Sequence, residues 1–167
     1  EAGLTLSIAV LIESVEGLEN VAGILSASPR TVFAMFGGAD LAAELGVEIA
    51  DQPLLYARSR MIHAARLAGI DVFDVPSLSF RDLDIVRDDA ARAKALGFTG
   101  KGVIHPSNVA VVNAVFSPTE TEIARAEKIV AAYRASPNGL AVVDGKLVER
   151  PVIRSMERIL ALRDLAI

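Results

Sequence analysis

Glu13 and Asp40 are the residues of this chain best placed to do chemistry. Each closes an apolar run: Leu11-Ile12-Glu13-Ser14 ends the first, and Phe36-Gly37-Gly38-Ala39-Asp40-Leu41 ends the second. Runs of this kind read as strands of a parallel sheet, buried on both faces. Two acids that leave successive strands arrive on one rim of that sheet, at the carboxyl ends of the strands, where α/β proteins hold ligands and metals. Two hard oxygen ligands, in a chain with no cysteine and only two scattered histidines, favour Mg²⁺ or Mn²⁺, with water and substrate oxygens completing an octahedron. Glycines at 37 and 38 would let backbone approach a ligand closely. Each acid also has a plainer reading, Glu13 as the N-terminal charge of the following helix and Asp40 as an N-cap.

The elements that must position them follow in order. Residues 4–12 form the first strand. Residues 15–27 carry Leu18, Val21, Ile24 and Leu25 at helical spacing and stop at Ser28-Pro29. Residues 31–36 form the second strand. Asp51-Gln52-Pro53 reads as an N-cap followed by an early proline, opening a helix over 51–68 with Leu54, Leu55, Met61, Ile62 and Ala65 inward and Gly69 as its stop. Residues 70–75 form a third strand with Asp74 near its exit. Asp82 caps a helix that Gly97 closes, and residues 102–104 form a short fourth strand leaving into His105-Pro106-Ser107. A short helix over 107–115 follows. Ser117-Pro118-Thr119-Glu120 reads as a capping box with proline at the first helical position, launching a helix to Arg134. Ser136-Pro137-Asn138-Gly139 breaks it. Residues 140–143 and 146–149 flank Asp144-Gly145 as a β-hairpin, and Arg150-Pro151 opens a last amphipathic helix.

Strands alternating with helices of a dozen residues imply parallel strands joined by right-handed crossovers. Four such units are half of a (β/α)₈ barrel, and an open four-stranded sheet would leave edges to cover. The fold is therefore either a small open sheet or the second half of a barrel.

At 167 residues the chain is long enough for one real core, and its 52% hydrophobic content fits a buried α/β interior. A net charge of −4, with Lys and Arg scattered through the helices, argues against a nucleic-acid partner. The absence of cysteine excludes disulfides, thiol catalysis and thiolate metal sites, and fits a cytoplasmic protein. No apolar stretch reaches bilayer length, so no membrane role is expected. The opening Glu1-Ala2-Gly3 lacks the basic start of a signal peptide, and without a Met it need not be the natural beginning. Of the remaining polar residues, His105 reads as a structural turn residue, His63 as a packed or half-exposed helix residue, and Arg58 and Arg66 as helix-surface charges. Asp74 reads either as a loop cap or as a support for the metal through water.

Taken together, five stretches resemble the citrate lyase beta subunit-like branch of the HpcH/HpaI aldolase superfamily. They are Leu11-Ile12-Glu13-Ser14, Phe36-Gly37-Gly38-Ala39-Asp40-Leu41, Tyr56-Ala57-Arg58, Gly100-Lys101-Gly102-Val103-Ile104-His105-Pro106-Ser107 and Asp144-Gly145-Lys146-Leu147-Val148-Glu149-Arg150-Pro151. Their order spans essentially all of the chain. The resemblance implies a (β/α)₈ TIM barrel that uses Mg²⁺ to cleave a carbon–carbon bond in a 3-hydroxyacyl-CoA thioester of the citryl-, malyl- or citramalyl-CoA type, releasing acetyl-CoA and a 2-oxo acid. Carried over by position, Glu13 and Asp40 are the metal ligands, and backbone amides of Gly38, Ala39 and Asp40 hold the substrate carboxylate. In several members a carboxylate at the position of Glu149 enters the neighbouring subunit's active site as acid or base, which implies a homo-oligomer. Here it is Glu where the family more often has Asp, which lengthens its reach.

The family's N-terminal half, with four strands and much of the CoA site, has no counterpart in these residues. Residues 1–136 are thus expected to be the C-terminal half of a barrel, with 137–167 a hairpin–helix extension packing on the barrel or on a neighbouring subunit. The chain is expected to be a fragment or one part of an assembly. Two further readings stand beside the lyase: a metal-dependent aldolase acting on free hydroxy-oxo acids without CoA, and a non-catalytic truncated barrel piece.

Overall fold

The computed structural model describes residues 6–136 and 139–165. Residues 4, 5, 137 and 138, which the sequence assigns to the first strand and to the break after Arg134, lie outside that range. The chain divides into two compact units, Glu1–Phe116 and Ser117–Ile167.

The first unit is α/β. Strands β1 (Ile8–Ile12), β2 (Thr31–Phe36), β3 (Asp71–Asp74) and β4 (Gly100–Lys101) lie side by side in that order, and every neighbouring pair is parallel. Helices α1 (Val15–Glu19), α2 (Val21–Ser26), α3 (Gly38–Leu45), α4 (Asp51–Ala68), α5 (Leu83–Leu96) and α6 (Ser107–Phe116) make the connections and the flank. One face of the sheet is closed by this helical layer. Ile12, Ala34, Phe36 and Val72 pack there with Leu18, Val21, Leu25, Leu54 and Met61. The opposite face carries Leu11, Phe33, Met35 and Phe73, in register across β1–β3. Leu11 is 51% exposed and the other three are half-buried.

Several expectations shift for identifiable reasons. The helix expected over 15–27 is two, α1 and α2, which break at Asn20 (φ −96°, ψ 5°). The Asn20 side chain donates to the Glu16 carbonyl (2.9 Å), so a local bond competes with the helical ladder. Leu18, Val21 and Leu25 stay buried across the break. Helix α3 went unread because its two leading glycines look like a turn, yet Leu41 and Ala42 are buried and Gly46 (φ 69°) closes it. Asp51 is the first residue of α4 and not its cap. Ala50 holds the N-cap position with no side-chain bond, and Asp51 pairs instead with Arg58 and Arg92. Leu55, expected inward, is exposed. Strand β4 forms two residues early, at Gly100–Lys101, where it pairs with Phe73 and Asp74; the glycine makes room for the Phe73 ring, which a Cβ at 100 would meet at 2.8 Å. Val103 and Ile104 are left exposed. Gly69 and Gly97 end their helices in left-handed conformations, as their positions predicted.

The second unit has its own small core of Ile129, Val143, Val148 and Ile153. It is built from α7 (Glu120–Arg134), the hairpin β5 (Ala141–Val143) and β6 (Lys146–Val148), and α8 (Arg150–Leu165). The capping box falls two residues later than expected, on Thr119 and Glu122, so Pro118 precedes the cap. Asp144 (φ 51°) and Gly145 (φ 72°) form the hairpin turn with both residues left-handed, as an Asp-Gly pair favours. By its contacts α7 belongs with the hairpin and α8, whereas the sequence grouped it with the βα units. Among the described residues, no helix is long and apolar enough to cross a membrane.

Candidate active site

The ends of β1 and β2 bring the two predicted regions together. Ile12 pairs with Phe36, and the Gly37 N–H continues the ladder to the Ile12 carbonyl at 2.8 Å, so Glu13 and Gly37 stand side by side. A Cβ on Gly37 would lie 2.3 Å from the Glu13 Cβ and 3.2 Å from its Oε2. The first glycine of the pair therefore makes room for the acid on the neighbouring strand. That differs from the ligand-approach role read from sequence. A Cβ on Gly38 would meet the Phe36 ring at 2.9 Å.

Neither acid performs the plainer task open to it. The N-terminus of α1 is capped by Ser14 Oγ, which accepts from the Gly17 N–H (3.1 Å), and by the Glu44 carboxylate, which accepts from the Val15 N–H (2.9 Å). Glu13 is not needed there. The N-cap of α3 is Gly37, without a side-chain bond, and Asp40 lies inside the first turn. Both Glu13 and Asp40 are exposed, and neither carboxylate has a hydrogen bond or ion pair to a described residue. The amides of Gly38, Ala39 and Asp40 belong to the uncapped first turn, where N–H groups lack intrahelical acceptors and the helix dipole favours an anion.

Two unpaired carboxylates at one rim suit a cation that keeps most of its sphere for substrate and water. Among the described residues, no three His, Cys, Asp or Glu side chains gather into a fuller metal cage. Glu149 lies in the second unit, between β6 and α8. Its side chain is exposed, and its carbonyl accepts from the Val152 and Ile153 N–H groups.

At the exits of β3 and β4 the same rim is built differently. Asp74 is fully buried, and its Oδ2 accepts from Arg58 Nη2 (2.7 Å) and Lys101 Nζ (3.0 Å). Lys101 Nζ also donates to the Val75 carbonyl (2.6 Å), and Arg58 Nη1 reaches Asp51 Oδ1 (2.5 Å). Arg58 lies over the Phe98 ring, 5.5 Å from its centroid. The surface reading of Arg58 is thus overturned. The signal was present in its spacing, since 54, 58, 61 and 65 fall on one helical stripe. Instead of capping a loop, Asp74 joins Arg58 and Lys101, the second of which the sequence reading had not singled out. His105 is a turn residue: its Nδ1 accepts the Ser107 N–H (3.2 Å) and its ring stacks on Phe80. His63 is exposed on α4, and Arg66 donates to the Gly97 carbonyl (3.0 Å).

A parallel sheet flanked by helices defines an α/β protein, a class whose ligand sites lie at the carboxyl ends of the strands. The chain belongs to the HpcH/HpaI aldolase/citrate lyase family, whose model matches residues 2–106. It is 33% identical over 156 residues to the citrate lyase subunit beta of Leuconostoc mesenteroides subsp. cremoris, covering 90% of this chain and 52% of that protein. It is 34% identical over 133 residues to the mitochondrial citramalyl-CoA lyase of Rattus norvegicus, covering 77% and 39%. Among solved structures, the protein CitE from Mycobacterium tuberculosis in complex with magnesium, acetoacetate and coenzyme A superposes with a TM-score of 0.81 at 30% identity, covering 95% of this chain and 61% of that one. The chain spans about half the length of the curated relatives it matches.

Proposed function

We propose that this chain carries the metal- and carboxylate-binding rim of a lyase that cleaves a carbon–carbon bond in a 3-hydroxyacyl-CoA thioester, of the citryl-, malyl- or citramalyl-CoA type. The observation that supports this most is the pair Glu13 and Asp40: two exposed carboxylates, without a cationic partner among the described residues, at the ends of adjacent parallel strands beside an uncapped helix. Relatives named as citrate lyase and citramalyl-CoA lyase give the reaction class.

Glu13 and Asp40 would hold Mg²⁺, which when bound supplies Lewis-acid stabilisation of the charge that develops as a hydroxyl becomes a ketone. The Gly38, Ala39 and Asp40 amides orient the substrate carboxylate. As the hydroxyl proton leaves, the bond between the carbinol carbon and the thioester's α-carbon breaks, and its electron pair passes to the acetyl thioester as an enolate. Glu149 is the group proposed to move the proton, acting within a homo-oligomer across to a neighbouring copy. The half-exposed apolar face of β1–β3 and the open edges at β1 and β4 suit four further βα units, since parallel sheets are normally covered on both faces.

Titration calorimetry of Mg²⁺ in the presence of oxaloacetate tests the rim directly. Wild-type chain binds, and Glu13→Gln or Asp40→Asn weakens binding by more than the roughly 10- to 100-fold that follows loss of an outer-sphere partner. Unchanged affinity in both variants, or undiminished release of 2-oxo acid from citramalyl-CoA by Glu13→Gln, removes the assignment.

A further inference from the structure

Two hydrogen bonds join the chain after β1 to the chain after β2. The Gly37 N–H donates to the Ile12 carbonyl (2.8 Å), and the Val15 N–H donates to Glu44 Oε2 (2.9 Å). Glu13 lies between Ile12 and Val15, and Asp40 lies between Gly37 and Glu44. The two carboxylates therefore belong to opposite sides of one closed ring, whose rungs are those two bonds.

The first rung continues the sheet, whereas the second depends on one side chain. Leu41 and Ala42 bury the inner side of α3, while Asp40 and Glu44 stand one turn apart on its exposed side. Like charges at that spacing oppose each other, and an acid in the last turn of a helix opposes its dipole. Glu44 thus does nothing for α3 itself. Its partner is an N–H in the first turn of α1, one of the donors that a helix leaves unpaired. Among the described residues this is the one side-chain hydrogen bond from α3 to another element. Glu44 also does not join the two acids as a third ligand, because no three His, Cys, Asp or Glu side chains among the described residues gather into a metal cage.

We propose that Glu44 is a positioning residue for the rim: its bond to Val15 fixes the separation of Glu13 and Asp40, and so favours a small, geometrically demanding cation over a larger one. The inference rests on the reading of Glu13 and Asp40 as Mg²⁺ ligands. Mg²⁺ requires near-octahedral oxygens at about 2.0–2.1 Å, whereas Ca²⁺ accepts irregular sets at about 2.3–2.6 Å. With the second rung cut, α3 can pivot about its buried side and carry Asp40 with it. Mg²⁺ loses more from that freedom than Ca²⁺ does.

Calorimetric titration of Mg²⁺ and of Ca²⁺, each with oxaloacetate present, separates reach from charge at position 44. Glu44→Ala weakens Mg²⁺ by about tenfold, the loss that follows removal of an outer-sphere partner, and Ca²⁺ by less than about threefold. Glu44→Asp keeps the charge but is one methylene shorter, and behaves like Glu44→Ala. Glu44→Gln keeps the acceptor without the charge, and stays within about twofold of wild type for both ions. Loss of a distant charge would weaken both ions together, in Glu44→Gln as in Glu44→Ala, and simple destabilisation would leave the ratio of the two affinities unchanged. Equal weakening of Mg²⁺ and Ca²⁺, Glu44→Gln binding as poorly as Glu44→Ala, or Glu44→Asp binding like wild type overturns the proposal. Glu13→Gln separates the proposal from the reading beneath it. Wild-type Mg²⁺ affinity in Glu13→Gln removes the ligand assignment and the proposal together. Loss of Mg²⁺ in Glu13→Gln, with affinity and selectivity intact in Glu44→Ala, removes the proposal alone.

Discussion

One rim of one sheet carries two kinds of acid. At β1 and β2, Glu13 and Asp40 are exposed and have no partner among the described residues, although helix N-termini that could have used them lie within a few residues. At β3 and β4, Asp74 is buried between Arg58 and Lys101, and through them joins the start of α4, the end of β4 and the loop at Val75. An acid already neutralised by two cations in a low-dielectric interior is a structural part. An acid held at the surface by neighbouring glycine, with no cation among the described residues beside it, is open to a divalent ion.

The contrast breaks most visibly at Asp74. Asp74→Ala leaves Lys101 buried without its carboxylate and Arg58 with Asp51 alone, and should lower stability by about 3–5 kcal/mol, read as the midpoint of urea unfolding. Gly37→Ala comes next. The added Cβ meets the Glu13 Cβ and Cα, which are main-chain anchored, so one strand end must shift. The expected loss is about 1–3 kcal/mol, with Mg²⁺ affinity falling alongside it. Normal metal binding in a destabilised Gly37→Ala would show that the position of Glu13 does not matter.

Glu13→Gln is the sharpest comparison with Asp74→Ala. It removes an exposed, unpaired charge, so stability should change by no more than about 0.5 kcal/mol while Mg²⁺ binding is lost. A large destabilisation would move Glu13 into the structural class with Asp74.

The smallest effect lies on the hairpin turn. The Lys128 ammonium donates to Asp144 Oδ1 (2.6 Å) and holds its carboxyl below the ordinary value of 3.8, with Arg125 adding a weaker pull against slight desolvation. Because the folded-state pKa is depressed, the stabilisation is present above the ordinary carboxylate range and is lost as pH falls through the lowered value. Lys128→Met should return the Asp144 carboxyl toward 3.8 in an NMR titration. An unaltered titration would contradict the pairing.

Much of the candidate site is legible in the sequence because its signals are local. Apolar runs mark β1 and β2, the acids follow within one to four residues, and Gly69, Gly97 and Asp144-Gly145 fix helix ends and a turn through their own backbone preferences. Those features depend on a residue and its immediate neighbours, so the sequence by itself determined them. The partners of Asp74 are 16 and 27 residues away, and Glu44 caps a helix from 29 residues downstream. Gly37 looked like a place for a ligand until the neighbouring strand put Glu13 against it. Which charges are buried, which glycine is steric and where β4 begins were decided only by the tertiary structure. Each depends on an atom brought close by the fold, and no run of consecutive residues records that proximity.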